Sequence, residues 1–410
     1  MKEERLIFRE RIVDRKKTDY LTHAFFPYPA RFIPQIPKYF IREFMQNSYS
    51  LLDPFAGSGT SLVEALISGY NSYGIEINPL GKLLSETKTT PLDKDKLGKE
   101  FARIKELIEG DIAPFSPEMP NKDFWFEPSI QNKLGKIKSA IDTVRDENIR
   151  KFFLMCLASI IRKCSNADPS ISKPVFTKHM KEVVKTRKVD VYKLFQDKVD
   201  SYSERIIALS LFLDTSKVEA KIIGDDSRKI NLPDKSVHLI ITSPPFINAQ
   251  EYFRTTKFEI LWTGLATSEK IRELESKMIG IERIVDTDVS KLWLLDGKKA
   301  SCINKVIKKI HKVDNSRAYI MYQYFKDMKT VFRELHRVLD DTGRFAITIG
   351  DNTIRKIPIN THDLIRQLAE SVGFKTEKVA YDIIKTRRLS IKRNETAGLM
   401  LKEWALVFKK

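Results

Sequence analysis

The stretch SYSLLDPFAGSGTSLVEALISGYNSYGIEINPL, residues 48–80, limits the fold more than any other part of the chain. An apolar strand ends at Asp53, a turn carries Gly57 and Gly59, a helix runs over 60–68, and a second strand ends near Glu76. Parallel strands cannot be joined by a tight hairpin, so strand, turn, helix and strand in this order make a right-handed βαβ unit. The alternation returns in AKIIGDDSRKINLPDKSVHLIITSPPF, residues 220–246, with strands expected at 221–224 and 237–242. It returns again in YFKDMKTVFRELHRVL, GRFAITIGD, INTHDLIRQLAESVGF and LKEWALVFKK, read as helix, strand, helix and strand. The expected class is α/β, with a mostly parallel sheet covered by helices on both faces.

Residues 94–216 have a different texture. DKLGKEFARIKELIEG, PSIQNKLGKIKSAIDTV and NIRKFFLMCLASIIRKCS repeat apolar residues at helical spacing. The block is too long for a simple crossover and reads as a large helical insertion. A smaller second insertion is expected at 265–320, including the basic run NKVIKKIHKV. The α/β part then lies in three pieces, 1–93, 217–264 and 321–410. Trp125 and Trp293 read as core anchors of the two insertions.

Composition narrows the partners. Lys and Arg number 72 against 54 Asp and Glu, a net charge of +18 over 410 residues. Such an excess favours a polyanion, above all nucleic acid. Basic residues crowd 162–188, where Arg162, Lys163, Lys173, Lys178, Lys181, Lys185, Arg187 and Lys188 face only Asp168 and Glu182. The tract KTRRLSIKR, residues 385–393, is a second candidate for holding phosphates. No apolar run reaches the roughly 20 residues of a membrane span. The charged start, MKEERLIFRERIVDRKK, is no secretion signal. Cys156, Cys164 and Cys302 lack the spacing of a disulfide framework or a zinc site, so a reducing, cytoplasmic setting without a metal is expected.

The turn DPFAGSGT, covering Asp53, Pro54, Phe55, Ala56, Gly57, Ser58, Gly59 and Thr60, brings helix amides and bare backbone to a ligand. No Gly-Lys-Ser/Thr follows, which excludes a P-loop, and Leu62 stands where a dinucleotide site has its third glycine. Glu76, followed by Ile77, lies about 20 residues after the first glycine, where a carboxylate grips ribose hydroxyls. A nucleoside cofactor without a pyrophosphate satisfies this pattern. Asp225 and Asp226, after the third strand, suit an adenine amino group, although either reads equally as a loop or cap residue. S-adenosylmethionine meets each of these conditions.

The strand VHLIIT stops at Ser243, Pro244, Pro245 and Phe246. In a sheet of this kind ligands bind outside the carboxyl ends of the strands, so this stop shares an edge with Gly57. Two prolines fix φ and remove N–H donors, leaving the Ser243 hydroxyl and the Pro244 carbonyl as rigid acceptors. With Phe246 as a flat face beside them, the set suits the exocyclic amine of a base turned out of a duplex. Tyr252 is a candidate wall for that base, while Phe253 reads as core.

DPFAGSGT paired with TSPPF resembles the amino-methyltransferases of DNA, and the serine-first form is similar to the cytosine-N4-specific enzymes of restriction–modification systems. The segment THAFFPYPARFIPQIP resembles the part of such enzymes that packs over the methionine end of the cofactor. The resemblance thereby implies cofactor contacts for His23, Tyr28, Pro29, Ala30 and Arg31. FRELHRVLDDTGRFAITIGD resembles their helix, turn and strand after the catalytic strand. The likeness covers most of 20–93, 217–264 and 321–410. It implies a Rossmann-like class I methyltransferase sheet, S-adenosylmethionine as cofactor, double-stranded DNA as substrate and a cognate restriction endonuclease as partner. Phe246 departs from the commoner tyrosine, keeping the stacking face and losing the phenol. The residues leave open an adenine-N6 target in DNA or a guanine-N2 target in structured RNA, and a cofactor- and DNA-binding protein of a defence assembly that does not methylate. They set neither the recognition sequence nor the oligomeric state.

Overall fold

The computed structural model describes residues 3–6, 18–29, 31, 33–46, 49–213, 218–247, 251–280, 288–297, 300–384 and 401–410. Its elements in chain order begin with β1 (Glu4–Arg5), α1 (Gln35–Phe44), β2 (Ser50–Asp53), α2 (Thr60–Ile67), β3 (Asn71–Ile75) and α3 (Pro79–Thr89). The helical stretch follows as α4 (Lys94–Glu109), α5 (Lys122–Trp125), α6 (Pro128–Asp142), α7 (Glu147–Cys164), α8 (Lys178–Thr186) and α9 (Val191–Phe212). Then come β4 (Ala220–Gly224), β5 (Val237–Thr242), α10 (Tyr252–Trp262), α11 (Ser268–Lys277), α12 (Ser301–His311) and α13 (Asn315–Val338). The chain closes with β6 (Leu339–Gly350), β7 (Asn352–Ile354), β8 (Ile357–Ile359), α14 (Thr361–Ser371), β9 (Lys375–Ile383) and β10 (Lys402–Lys409).

The main sheet has eight strands in the order β1-β9-β10-β6-β5-β2-β3-β4. β10 runs antiparallel to both neighbours, and the other pairings are parallel. The carboxyl ends of β2, β3, β4 and β5 therefore share one edge. Pleating sends successive side chains to opposite faces. Leu51, Leu239 and Ile241 join α1 on one face, while Leu52, Ile240, Phe345 and Ile347 join α12, α13 and α14 on the other. Helices α4, α6, α7 and α9 bury a separate apolar cluster that takes in Leu80 and Leu84 of α3, Phe253 and Phe258 of α10, and Tyr28. The helical stretch is thus welded to the sheet domain along α3 and α10 rather than hung from it on linkers.

Several boundaries differ from the sequence expectation. Helix α13 starts nine residues before YFKDMK, inside the stretch assigned to the second insertion, because Asp314 caps it by accepting from Arg317 N at 2.9 Å. Strand β6 includes Leu339–Gly350 rather than the GRFAITIGD portion alone. Ser68, expected at the end of α2, is its C-cap. The tract 385–393 lies outside the described residues, although Ile384 and Leu401 flanking it are joined at 3.0 Å. That junction follows β9 and precedes β10, at the same edge as Thr242. Among the described residues no helix is long and apolar enough to cross a membrane.

Candidate functional site

Strand ends bring the sequence-predicted residues together. Ala56 N donates to Ile75 O at 3.0 Å, and Glu76 N donates to Gly224 O at 3.1 Å, which stitches the turn, β3 and β4 along one rim. Below that rim opens a cleft of about 820 Å³, partly open to solvent. From the predicted set it is lined by Tyr28, Pro29, Arg31, Pro54, Phe55, Ala56, Gly57, Ser58, Thr60, Glu76, Ile77, Asp225, Asp226, Ser243, Pro245 and Tyr252.

The glycine-rich turn depends on its glycines at both positions. Gly57 and Gly59 have φ of +51° and +69°, the left-handed region that side chains disfavour. A Cβ on Gly59 would stand 2.8 Å from Ser85 Oγ. Helix α3 grips the turn from below: Ser85 Oγ donates to Gly57 O at 3.0 Å and Lys88 Nζ donates to Ser58 O at 2.7 Å. Lys88 is fully buried, and burial, aided by the Arg31 charge, pulls its ammonium down to about 7.

Glu76 reaches across the end of β3. One carboxylate oxygen accepts from Gly57 N at 2.7 Å and the other from Asn78 N at 2.7 Å. Burial pushes this carboxyl up to about 7 against those two bonds. Tyr28 and Tyr252 share its surroundings; burial raises both hydroxyls above the usual tyrosine range, and the Glu76 carboxylate adds to it. Tyr252 therefore stands beside the acid of the turn, on the side expected for the cofactor. Phe253 is 1% exposed and packs in the core as expected.

The two aspartates separate. Asp226 is held by Arg228 through Nε at 2.9 Å and a second guanidinium nitrogen at 3.2 Å, and those bonds keep it below the usual carboxylate range despite burial. Asp225 is exposed on the cleft wall and has no hydrogen bond among the described residues. Asp225 is the one with acceptor capacity left for a ligand.

Some predicted residues stand elsewhere. Asp53 does not line the cleft. It is fully buried and accepts from Ser61 Oγ, from Thr242 Oγ1 at 2.8 Å and from Phe55 N at 3.1 Å, and burial lifts it to about 6. It ties the turn to the last residue of β5, directly before Ser243. His23 is likewise away from the cleft: its Nε2 lies 2.7 Å from Glu64 Oε1, which Tyr20 also contacts, and burial drops the imidazole to about 4. Gly59 serves the backbone of the turn, and Pro244 is buried and is not part of the lining. Phe246 is half-buried and is not part of the lining either. Ala30 lies outside the described residues. Trp293 is no core anchor; it is half-buried, meeting Tyr319 edge-to-face and Tyr322 at a tilt. Trp125 does pack against the helical core.

The sequence reading missed Ile75, Asn78, Ser227, Lys277, Met278 and Ile279, which complete the lining. The 277–279 segment arrives from the second insertion because Gly280, at φ +82°, lets it lie against Pro245 and Phe246; a Cβ there would be 3.2 Å from Phe246 O. No motif signals that approach. Lys88 did leave a signal, a lysine four residues after Leu84 on the apolar stripe of α3. Among the described residues no group of His, Cys, Asp and Glu could hold a metal ion.

A parallel sheet with one reversed strand, a glycine turn answered by an acid on the next strand, and a proline-locked stop on the same cleft define the class I methyltransferase frame. The DNA methylase family model (N6_N4_Mtase) matches residues 7–82 and 237–410, more than half of the chain, and passes over 83–236. The Type II methyltransferase M.MvaI of Kocuria varians is 26% identical over 403 residues, covering 92% of this chain and 87% of that protein. M.BsoBI of Geobacillus stearothermophilus is 23% identical, covering 87% and 79%. A putative DNA modification methylase of Thermus thermophilus, solved with S-adenosylmethionine, is 17% identical over 45% of this chain and 53% of its own, with a TM-score of 0.23. The chain belongs to the S-adenosylmethionine-dependent DNA amino-methyltransferase family.

Proposed function

We propose that this protein methylates the exocyclic N4 amine of a cytosine extruded from double-stranded DNA. The observation that carries the reading is that Ser243 and Pro245 line the same cleft as Gly57, Glu76 and Asp225. The residues fit S-adenosylmethionine: a Cβ on Gly57 would meet the Tyr28 ring at 3.6 Å and Phe55 O at 3.9 Å and nothing closer, and Asp225 has unused acceptor capacity. In this assignment Gly57 and its neighbours flank the methionine half, Glu76 accepts from the ribose and Asp225 accepts from the adenine amine. Bound there, the cofactor supplies an electrophilic methyl on a sulfonium.

The rest of the chemistry belongs to the stop after β5. The Ser243 hydroxyl and the Pro244 carbonyl accept the two N–H bonds of the amine, which turns its lone pair toward the methyl donor. Because prolines fix φ at 244 and 245, these acceptors do not have to be ordered when the base arrives. Phe246 offers the base a ring face. The amine leaves its surplus proton to solvent, so no general base and no covalent enzyme intermediate are needed. Serine at the first position of the motif supports cytosine over adenine.

The helical stretch at 94–216 is assigned to DNA recognition, a reading supported by its basic tract at 162–188 and by its position outside the shared family portion. The naming of the relatives as Type II methyltransferases supports a modification role with a partner endonuclease. The test is Ser243→Ala on duplex DNA with labelled cofactor. Transfer should fall about a hundredfold with cofactor affinity unchanged; undiminished transfer would remove the serine from the chemistry.

A further inference from the structure

We infer that the lysine face of α12, together with the Trp293, Tyr319 and Tyr322 group beside it, receives the DNA duplex that flanks the extruded base. This deepens the reading above and rests on it for the identity of the polyanion.

Helix α12 buries Ile303, Ile307 and Ile310 against α13. On its opposite face, at positions i, i+4 and i+7, stand Lys305, Lys309 and Lys312, with Lys308 between them, all exposed. None of the four has an ion pair with a carboxylate among the described residues. Like charges three and four residues apart repel one another and weaken a helix. The helix dipole favours Lys308 and Lys309 in the last turn, but it falls off before Lys305. A row of phosphates would relieve the repulsion, and no carboxylate of the described chain does so.

The aromatic group continues this surface. Trp293 belongs to neither of the apolar clusters of the sheet domain nor to that of the helical stretch. Its ring lies 5.9 Å from that of Tyr319 and 5.7 Å from that of Tyr322. Lys291 Nζ sits 4.8 Å from the Trp293 ring, and Lys326 Nζ 5.9 Å from the Tyr322 ring. The loop bearing Trp293 is tied to the end of α12, since His311 Nε2 lies 3.1 Å from Ser290 O. A ring contact does not take the place of a phosphate at an ammonium, so phosphate contacts and flat apolar faces alternate here.

Its placement follows from α13. That helix leads directly into β6, so its first turns point toward the carboxyl edge of the parallel strands. Tyr324 lies 3.8 Å from the Cβ position of Gly280, which itself abuts Pro245 and Phe246. Tyr322 and Tyr319 precede Tyr324 on the same helix, so they lie nearer than Tyr324 to its N-terminal end at the carboxyl edge, on faces of the helix other than the one that meets Gly280.

The test compares the full-length protein with K305Q/K308Q/K309Q/K312Q and with W293A, using fluorescence anisotropy of a labelled duplex over a range of salt. Each lost phosphate contact removes about 0.9 from the log–log salt slope, so the quadruple variant should have a slope about 3.6 smaller and bind on the order of a thousandfold more weakly at 0.1 M salt. W293A should weaken binding about tenfold and leave the slope alone. Cofactor affinity, measured by calorimetry, should be unchanged in both and reports that each variant folds. Duplex affinity and slope equal to the parent's in the quadruple variant would overturn the inference. Were the parent to bind duplex, with the variants responding as described, yet transfer methyl to no DNA, the surface would stand and the amine-methylation reading would fall. Were the parent to methylate DNA and the variants to bind like it, the reading would stand and the surface would fall.

Discussion

Burial has lifted the Glu76 carboxyl to about 7, and in the role proposed for it, accepting from ribose hydroxyls, the ionised form is the stronger acceptor. Cofactor affinity should therefore rise by about tenfold from pH 6 to pH 8, and calorimetry on Glu76→Gln should find weak, pH-independent binding. Asp53 carries the same displacement into stability. Its pKa is raised on folding to about 6, so the stability it contributes is fully present below its unfolded pKa and is lost as the pH rises through 6. Relative to Asp53→Asn, the parent should lose about 2 kcal/mol between pH 4 and pH 7 in urea titrations. These two acids were legible to different degrees. The spacing from Gly57 marked Glu76, and that side chain does line the cleft. Asp53 carries the same motif signal, yet its role is to tie the turn to Thr242, a contact of 2.8 Å across 189 residues that sequence spacing cannot show.

The elements were read well where periodicity was strong and poorly where a cap decided. Helix α13 begins at an Asp314 cap ahead of its densest apolar stripe, so its first six residues fall in the stretch assigned to the insertion. Helix α10 was not expected at all as a joint. Arg162 of α7 donates to Thr255 O and lies 3.5 Å from Glu259, whose carboxyl burial raises. Arg162→Met should lower stability by about 3 kcal/mol, because it leaves Glu259 buried without its cation, and chemical denaturation measures this. The glycine turn makes an opposite kind of demand. Gly59→Ala places a Cβ 2.8 Å from Ser85 Oγ at φ +69°, so it should cost about 2 kcal/mol and weaken cofactor binding together. Normal cofactor affinity in that variant would contradict the packing of α3 beneath the turn.

At the scale of the molecule, alternating strands and helices were enough to give the sheet class and the edge where the cleft opens. What they could not give was how the helical stretch attaches, because the contacts of α7 and α9 with α3, α10 and Tyr28 join parts of the chain that no local pattern relates. Nor could they bring the 277–279 segment onto the Pro-Pro stop, since that approach depends on one glycine at positive φ. Charge works the other way: the +18 excess is visible in the sequence, but only the fold separates lysines held by carboxylates, such as Lys173 on Glu251, from the free face of α12. Duplex DNA incubated with the protein and S-adenosylmethionine, digested to nucleosides and analysed by mass spectrometry, should yield 4-methylcytosine, and 6-methyladenine or no methylated base would contradict cytosine-N4 methylation.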